Sequence, residues 1–118
     1  MKSFTDIEQS KKLAEILPIE SADMFYVYDR HLDKFYGDTP YVGYRVLNID
    51  VDMPCWSLAA LLEVLPEGVI ENFYAPNLQK EEGKYSIAYG NEELLCVADN
   101  PIDCCVEIIL KLHEQKLL

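Results

Sequence analysis

The residues suited to metal or redox chemistry are four cysteines and two histidines in a chain of 118 residues. Cys104 and Cys105 are adjacent on a predicted helix, where neighbouring side chains point about 100° apart. They therefore cannot easily chelate one ion or close a relaxed disulfide. No C-x-x-C or H-x-x-x-H spacing, which a zinc site requires, occurs in the sequence. We predict four free thiols, with Cys105 on the buried stripe of its helix and Cys104 at the edge of that stripe.

Two groups of acidic residues could bind a cation or act as acid and base. His31 lies in a predicted loop, 29–38, which also carries three aspartates but lacks the glycine placement of a calcium loop. Asp50 and Asp52 would share one face if the preceding strand continued, close enough for acid/base catalysis. The simpler interpretation is that loops are commonly acidic and that the aspartate pair caps the next helix.

No catalytic motif joins these residues. The sequence contains no G-x-S-x-G, no glycine loop that would cradle a phosphate and no dinucleotide fingerprint. His113 is predicted near the middle of the apolar face of the last helix, where a lone histidine is usually a core or interface residue. We therefore predict no catalytic residue, no metal site and no cofactor.

Aromatic residues are dense between positions 25 and 44. In a strand they alternate between two faces, so one set can fill the core while the other faces a partner. Tyrosine is favoured at interfaces because it supplies area and a polar tip at little entropic cost. The predicted interaction surface is Tyr36, Tyr41, Tyr44 and Arg45, with core packing as the alternative role for the rings.

Two helices are predicted in the first 66 residues. Residues 5–8 have the form of a capping box, so a helix should begin there and end at Pro18. The stretch 54–65 is the most apolar of the chain, with Pro54 suited to the first turn of a helix and Pro66 to its end. A helix that is apolar on almost every side must be covered on several sides, so we expect it at the centre of the core.

Strands are predicted at 24–28 and 41–49, with a loop over 30–40 between them and Gly43 marking a bulge. Three further antiparallel strands should form a meander. Their predicted positions are 69–74, 84–89 and 93–97, with a turn-rich segment at 75–83 and a two-residue type II′ turn at Gly90-Asn91.

The last helix has the clearest boundaries. Asn100 is a favourable N-cap, Pro101 fits the first turn, and apolar residues recur at helical spacing from there, so a helix is predicted over 101–114. With the meander, this predicts an α+β fold, an antiparallel sheet packed with about three helices. The length is typical of one domain, so we predict that residues 1–118 fold as a single unit.

The net charge of −11 restricts the partners. Twelve acidic and only four basic residues lie in 51–118, and such a field repels phosphate backbones and anionic membrane surfaces. We expect no direct nucleic-acid binding and no membrane association. The N-terminal residues lack the apolar region of a secretion signal, and no apolar run is long enough for a membrane span, so we expect a cytoplasmic location.

Two segments carry a family resemblance: residues 56–66, WSLAALLEVLP, and residues 100–107, NPIDCCVE. Together they resemble uncharacterised small proteins of gut-bacterial phages and integrated mobile elements, over roughly residues 54–114. The resemblance implies a bacterial or phage context. It brings no known activity, cofactor or catalytic residue.

These observations favour a non-catalytic interaction or accessory protein that presents an aromatic or acidic surface to an unidentified protein partner. Homo-oligomerisation is a further possibility. One alternative is a small-molecule or divalent-metal-dependent activity around Asp50, Asp52 and loop 29–38. Another is an acidic mimic of nucleic acid that binds a basic protein.

Overall fold

A computed structural model describes residues 1–35, 37–43, 52–67, 76–90 and 94–118. The fold is α+β, as predicted, and all strand pairs in the described residues are antiparallel. The helices are α1 (Ile7–Ala14), α2 (Leu58–Val64) and α3 (Pro101–Glu114), with a one-turn 3₁₀ helix at Ile19–Ser21. The strands are β1 (Met24–Tyr26), β2 (Tyr28–Asp29), β3 (Lys34–Phe35), β4 (Tyr41–Val42), β5 (Met53–Cys55), β6 (Asn77–Glu81), β7 (Lys84–Ala88) and β8 (Leu95–Ala98).

Helix α1 begins one residue later than its predicted capping box. The Asp6 carboxylate accepts from the Gln9 backbone N–H, and the Gln9 side chain accepts from the Asp6 backbone N–H. Thr5 does not cap because its hydroxyl is buried, where it accepts from the Trp56 backbone N–H at 3.1 Å. The helix ends at Ala14, and hydrogen-bonded turns continue from it to Leu17.

The first sheet has the strand order β4-β1-β5. Phe25 in its central strand pairs with Tyr41 on one side and with Pro54 on the other. The prediction that Pro54 opens a helix was therefore wrong. Residues 53–55 pair as a strand instead, and the Ser57 side chain supplies the N-cap by accepting from the Ala60 N–H.

Helix α2 is covered on one side, which corrects its predicted central position. Leu61 is fully buried, but the side chain of Leu62 is 41% exposed and Ala59 is exposed. The central helix is α3, which packs against α2, β7 and β8. Its buried residues are Pro101, Ile102, Cys104, Cys105, Val106, Ile108, Ile109 and Leu112.

The first part of the predicted loop 30–40 belongs to a short hairpin that begins at Tyr28. Strands β2 and β3 pair, and the Asp29 carboxylate accepts from the backbone N–H groups of His31 and Leu32, which holds the turn. Val27 interrupts the strand predicted at 24–28 and separates β1 from β2. Of the strand predicted at 41–49, the described part is β4, and Gly43 after it has a φ of +87°.

The meander is β6-β7-β8. Its first strand lies in the segment predicted to be turn-rich, because Glu82 and Gly83 (φ +50° and +79°) form a tight turn that pairs the residues on either side. The strand predicted at 69–74 lies outside the described residues. Gly90 has the expected positive φ, but Tyr89 N–H donates to Leu94 O, so this connection is longer than two residues.

Helix α3 spans 101–114, as predicted, with the Asn100 side chain accepting from the Asp103 N–H at 2.9 Å. Two details differ from expectation. Cys104 is fully buried rather than at the edge of the stripe, because β8 packs over it. His113 is exposed, because the buried stripe ends at Leu112.

Candidate functional site

Of the four residues predicted to form an interaction surface, Tyr41 lies within the described part of the chain. Tyr36, Tyr44 and Arg45 lie outside it. Tyr41 is in β4, which lies next to β1 in the first sheet, and its ring stacks on the buried Phe25 at a centroid distance of 5.7 Å. The side chain is nevertheless 50% exposed. Tyr41 therefore combines packing on the sheet with a surface open to solvent.

Val42 is the most exposed large aliphatic residue of the described sheets. Its side chain is 85% exposed although it pairs with Met24 in β1. The next backbone N–H, that of Gly43, donates to Asp23 O at 2.7 Å and so continues the pairing. An exposed valine held on a paired backbone is a rigid apolar contact point.

Beside Val42 lies an apolar groove of about 800 Å³. Its walls come from the turn after α1, the 3₁₀ helix, the end of β4 and one face of α2. We use the name apolar groove for the surface formed by Ile16, Leu17, Pro18, Glu20, Ser21, Ala22, Asp23, Val42, Gly43, Ala59, Ala60, Glu63, Val64 and Leu118. Sequence reasoning missed it because its walls are brought together by tertiary packing.

Asp23 connects two walls of the groove through hydrogen bonds. Its carboxylate accepts from the backbone N–H of Ser57 at 2.9 Å and from the Ser57 hydroxyl. Ser57 in turn caps α2. The start of α2 is thus fixed to the residue preceding β1, so hydrogen bonds join the α2 wall of the groove to the segment before β1.

The polar groups of the groove differ in availability. Ser21 Oγ donates to Pro18 O and accepts from the Trp56 indole N–H, and Asp23 is engaged with Ser57. Glu20 and Glu63 are exposed and form no salt bridge with the rest of the described chain. No lysine, arginine or histidine is among the described lining residues. The described rim therefore offers two carboxylates to a ligand.

The side chains best suited to nucleophilic chemistry are packed inside the protein. Thr5, Ser10 and Cys55 are fully buried and hydrogen-bonded to one another, with Thr5 Oγ1 lying 2.8 Å from Ser10 Oγ. The Tyr26 hydroxyl donates to Thr5 O at 2.7 Å. Burial raises the pKa of Cys55, although hydrogen bonds from its neighbours oppose that rise. This cluster locks the N-terminal segment onto β5.

All four cysteines are unbridged and buried. Burial raises the pKa of Cys104 to about 11 and that of Cys105 to about 12, so both remain protonated at neutral pH. The Cys104 thiol donates to Cys96 O at 3.3 Å. Cys96, Cys104 and Cys105 serve as small buried groups that pack α3 onto the meander.

A second polar cluster connects the N-terminal segment to α3. The Lys2 ammonium lies 2.9 Å from both the Asp6 and Asp103 carboxylates, and Gln9 donates to Asp103 at 2.7 Å. Partial burial would lower the pKa of Lys2, but the two carboxylates outweigh it and raise that pKa. Burial likewise opposes ionisation of Asp103, yet hydrogen bonds from Lys2, Gln9 and Asn100 lower its pKa.

The described part of the chain includes only some residues of the predicted metal or acid/base site. Asp50 lies outside the described residues, and the Asp52 carboxylate accepts from the Tyr28 backbone N–H at 2.9 Å. In loop 29–38, Asp29 is engaged in its own turn and Asp33 is hydrogen-bonded to the Tyr28 hydroxyl. Among the described residues, no three His, Cys, Asp or Glu side chains are placed to hold a metal ion.

None of the helices in the described ranges has the length and apolar character needed to cross a bilayer. Comparisons of the chain with family models, curated proteins and solved structures found no match.

Proposed function

We propose that this protein is a non-catalytic binding protein that captures another protein through the apolar groove and the adjoining edge of β4. The observation that carries the proposal is an open groove of about 800 Å³ with a valine 85% exposed on its rim. Apolar surface concentrated at one concave place is typical of a binding site, whereas isolated exposed apolar residues are ordinary.

Tyr41 precedes Val42 in β4, so its side chain lies on the opposite face of the sheet from the groove and supports the edge of β4 as part of the surface. Its ring is held by Phe25 and half exposed, so little conformational entropy is lost when a partner covers it. Tyr36, Tyr44 and Arg45 belong to the proposed surface on sequence grounds alone. The resemblance to phage and mobile-element proteins directs the search for a partner to a bacterial host.

The non-catalytic part of the proposal has separate support. Thr5, Ser10 and Cys55 are inaccessible in the core, and Asp29, Asp33 and Asp52 are hydrogen-bonded within the loop and sheet that contain them. The acidic-mimic alternative and the metal-dependent alternative remain sequence predictions. Salt-sensitive competition with DNA for a basic protein tests the first, and metal titration tests the second.

The experiment compares Val42→Gln with the parent protein. Val42 is so exposed that the substitution should leave the unfolding midpoint nearly unchanged while removing an apolar contact worth roughly 1 to 2 kcal/mol to a partner, or about five- to thirtyfold in affinity. The readouts are binding of an environment-sensitive apolar dye and crosslinking to proteins in a bacterial lysate. Circular dichroism confirms the fold.

The matched control is Val97→Gln, which removes an apolar side chain, 52% exposed, from β8 on the meander. Its dye binding and crosslinking should equal those of the parent. Equal losses in both variants, or no loss with Val42→Gln, would contradict the placement of the binding surface. Turnover of a small-molecule substrate that is abolished by Asp50→Asn would contradict the non-catalytic assignment.

A further inference from the structure

The polar groups at the groove indicate the chemistry of its occupant. Ser21 and Asp23 already have hydrogen-bond partners within the protein, and the remaining polar side chains of the described lining are the carboxylates of Glu20 and Glu63. An ionised carboxylate accepts hydrogen bonds and attracts positive charge, and it cannot donate. The groove therefore suits a ligand that is apolar at its centre and cationic at its margin.

The shape of the groove indicates a peptide segment that lies along it rather than an enclosed small molecule. Six of its fourteen described lining residues are exposed, whereas small-molecule pockets bury most of the ligand and direct several polar groups at it. On α2 the groove wall is Ala59 and Ala60, followed one turn later by Glu63 and Val64. Small side chains at that point let another backbone approach closely, and a volume of about 800 Å³ has room for several apolar side chains from one face of a helix.

A second copy of this chain fits the groove poorly. Each copy carries a net charge of −11, and a symmetric dimer through this face would bring the rim carboxylates of both copies together. The same charge attracts a basic partner and speeds its encounter. Charge therefore favours a cationic occupant over self-association.

We infer that the occupant of the apolar groove is a basic amphipathic helix of a partner protein, with its apolar face in the groove and its Lys or Arg residues opposite Glu20 and Glu63. This inference rests on the proposed function and adds the chemistry of the partner to it. It requires binding that depends on both the apolar rim and the two carboxylates.

The test uses two synthetic helical peptides of about 15 residues, each carrying leucines at positions i, i+3, i+4 and i+7. One has lysine on its polar face and the other has glutamine. Fluorescence anisotropy measures their affinity for the full chain at about 30 mM and about 300 mM ionic strength. At the lower salt, the lysine peptide should bind at least about tenfold more tightly than the glutamine peptide. This difference between the two peptides should shrink at the higher salt.

Variants distinguish attraction to Glu20 and Glu63 from attraction to the negative charge of the whole protein. Glu20→Gln combined with Glu63→Gln should weaken the lysine peptide about three- to tenfold and leave the glutamine peptide unchanged. The control, Glu81→Gln with Glu82→Gln, removes the same charge from the exposed β6–β7 turn and should have a clearly smaller effect. Val42→Gln should weaken both peptides.

The measurements distinguish failure of the inferred basic partner from failure of the proposed function. If both peptides bind equally and Val42→Gln weakens both, the groove is a binding site but the inference of a basic partner is overturned. If Val42→Gln changes neither peptide, the proposed function fails with it. If the charge-removing pairs have equal effects, the attraction is general and the assignment to Glu20 and Glu63 is wrong. Concentration-dependent dimerisation that blocks the peptide would show that a second copy is the occupant, which also overturns the inference.

Discussion

Replacing Thr5 by valine should destabilise the protein although the side-chain volume stays nearly constant. Thr5 is fully buried, and its hydroxyl is the acceptor for the backbone N–H of Trp56 and the partner of Ser10. Valine preserves the shape of the side chain and removes the oxygen. The change therefore isolates the hydrogen bonds from the packing.

The magnitude follows from the groups left without partners. The Trp56 N–H would be buried without an acceptor, which costs about 1 to 3 kcal/mol, and the loss of the Ser10 hydrogen bond adds about 1 kcal/mol. We expect Thr5→Val to lower the free energy of unfolding by roughly 2 to 4 kcal/mol. Ser10→Ala leaves the Thr5 hydroxyl in place for Trp56 and Cys55, so it should cost only about 1 kcal/mol.

Urea denaturation followed by circular dichroism measures both variants and their combination. Because the two hydroxyls contact each other, the combined cost should be smaller than the sum of the separate costs. A Thr5→Val protein within about 0.5 kcal/mol of the parent would refute the role of the hydroxyl as the lock on Trp56. An effect of Ser10→Ala equal to that of Thr5→Val would show that the Trp56 N–H is not the group that decides the cost.

Two further predictions concern the core and the charged cluster. Leu61→Asp buries a charge and should lower the free energy of unfolding, measured by urea titration, by more than about 3 kcal/mol. Leu62→Asp, at a side chain 41% exposed, should lower it by less than about 1 kcal/mol. Similar costs for the two variants would contradict the one-sided burial of α2. Because the pKa of Asp103 is lowered in the folded state, its ionised form stabilises the fold at pH values above 3.8. That stabilisation is lost as the pH falls through the folded-state pKa. Acid unfolding monitored by tryptophan fluorescence should therefore show a weaker dependence of the unfolding free energy on pH for Asp103→Asn than for the parent. Identical pH dependences would contradict the lowered pKa of Asp103 beside Lys2.

Local signals in the sequence predicted the elements that they control directly. Helix α3 was predicted with its exact ends because Asn100 and Pro101 fix its start and its apolar spacing continues for four turns. The α+β class followed from the meander. The extended strand at 53–55 was missed because apolar residues without periodicity read equally well as helix or buried strand. Pairing with β1, a tertiary contact, decides between the two.

The candidate site was less predictable than the fold. Tyr41 could be proposed from composition, but whether its ring is buried or exposed depends on Phe25, which lies opposite it in the sheet. The apolar groove arises where residues 16–23 meet α2, about 40 positions away in the chain. No local pattern encodes that meeting. Thr5 was assigned to a helix cap because its buried partners Cys55 and Trp56 lie 50 and 51 positions away, where no local pattern reveals them.

The cluster of Lys2, Gln9 and Asp103 has a consequence for the order in which the chain folds during synthesis. Its contacts join residues 101 and 94 positions apart, so α1 cannot complete its docking until α3 has left the ribosome. At about 5 to 20 residues per second, α1 can pack against β5 several seconds before α3 is available to it. Closing so long a loop costs entropy that only finished contacts with α3 repay, so the contacts of Lys2 and Gln9 with Asp103 form in a late step of folding.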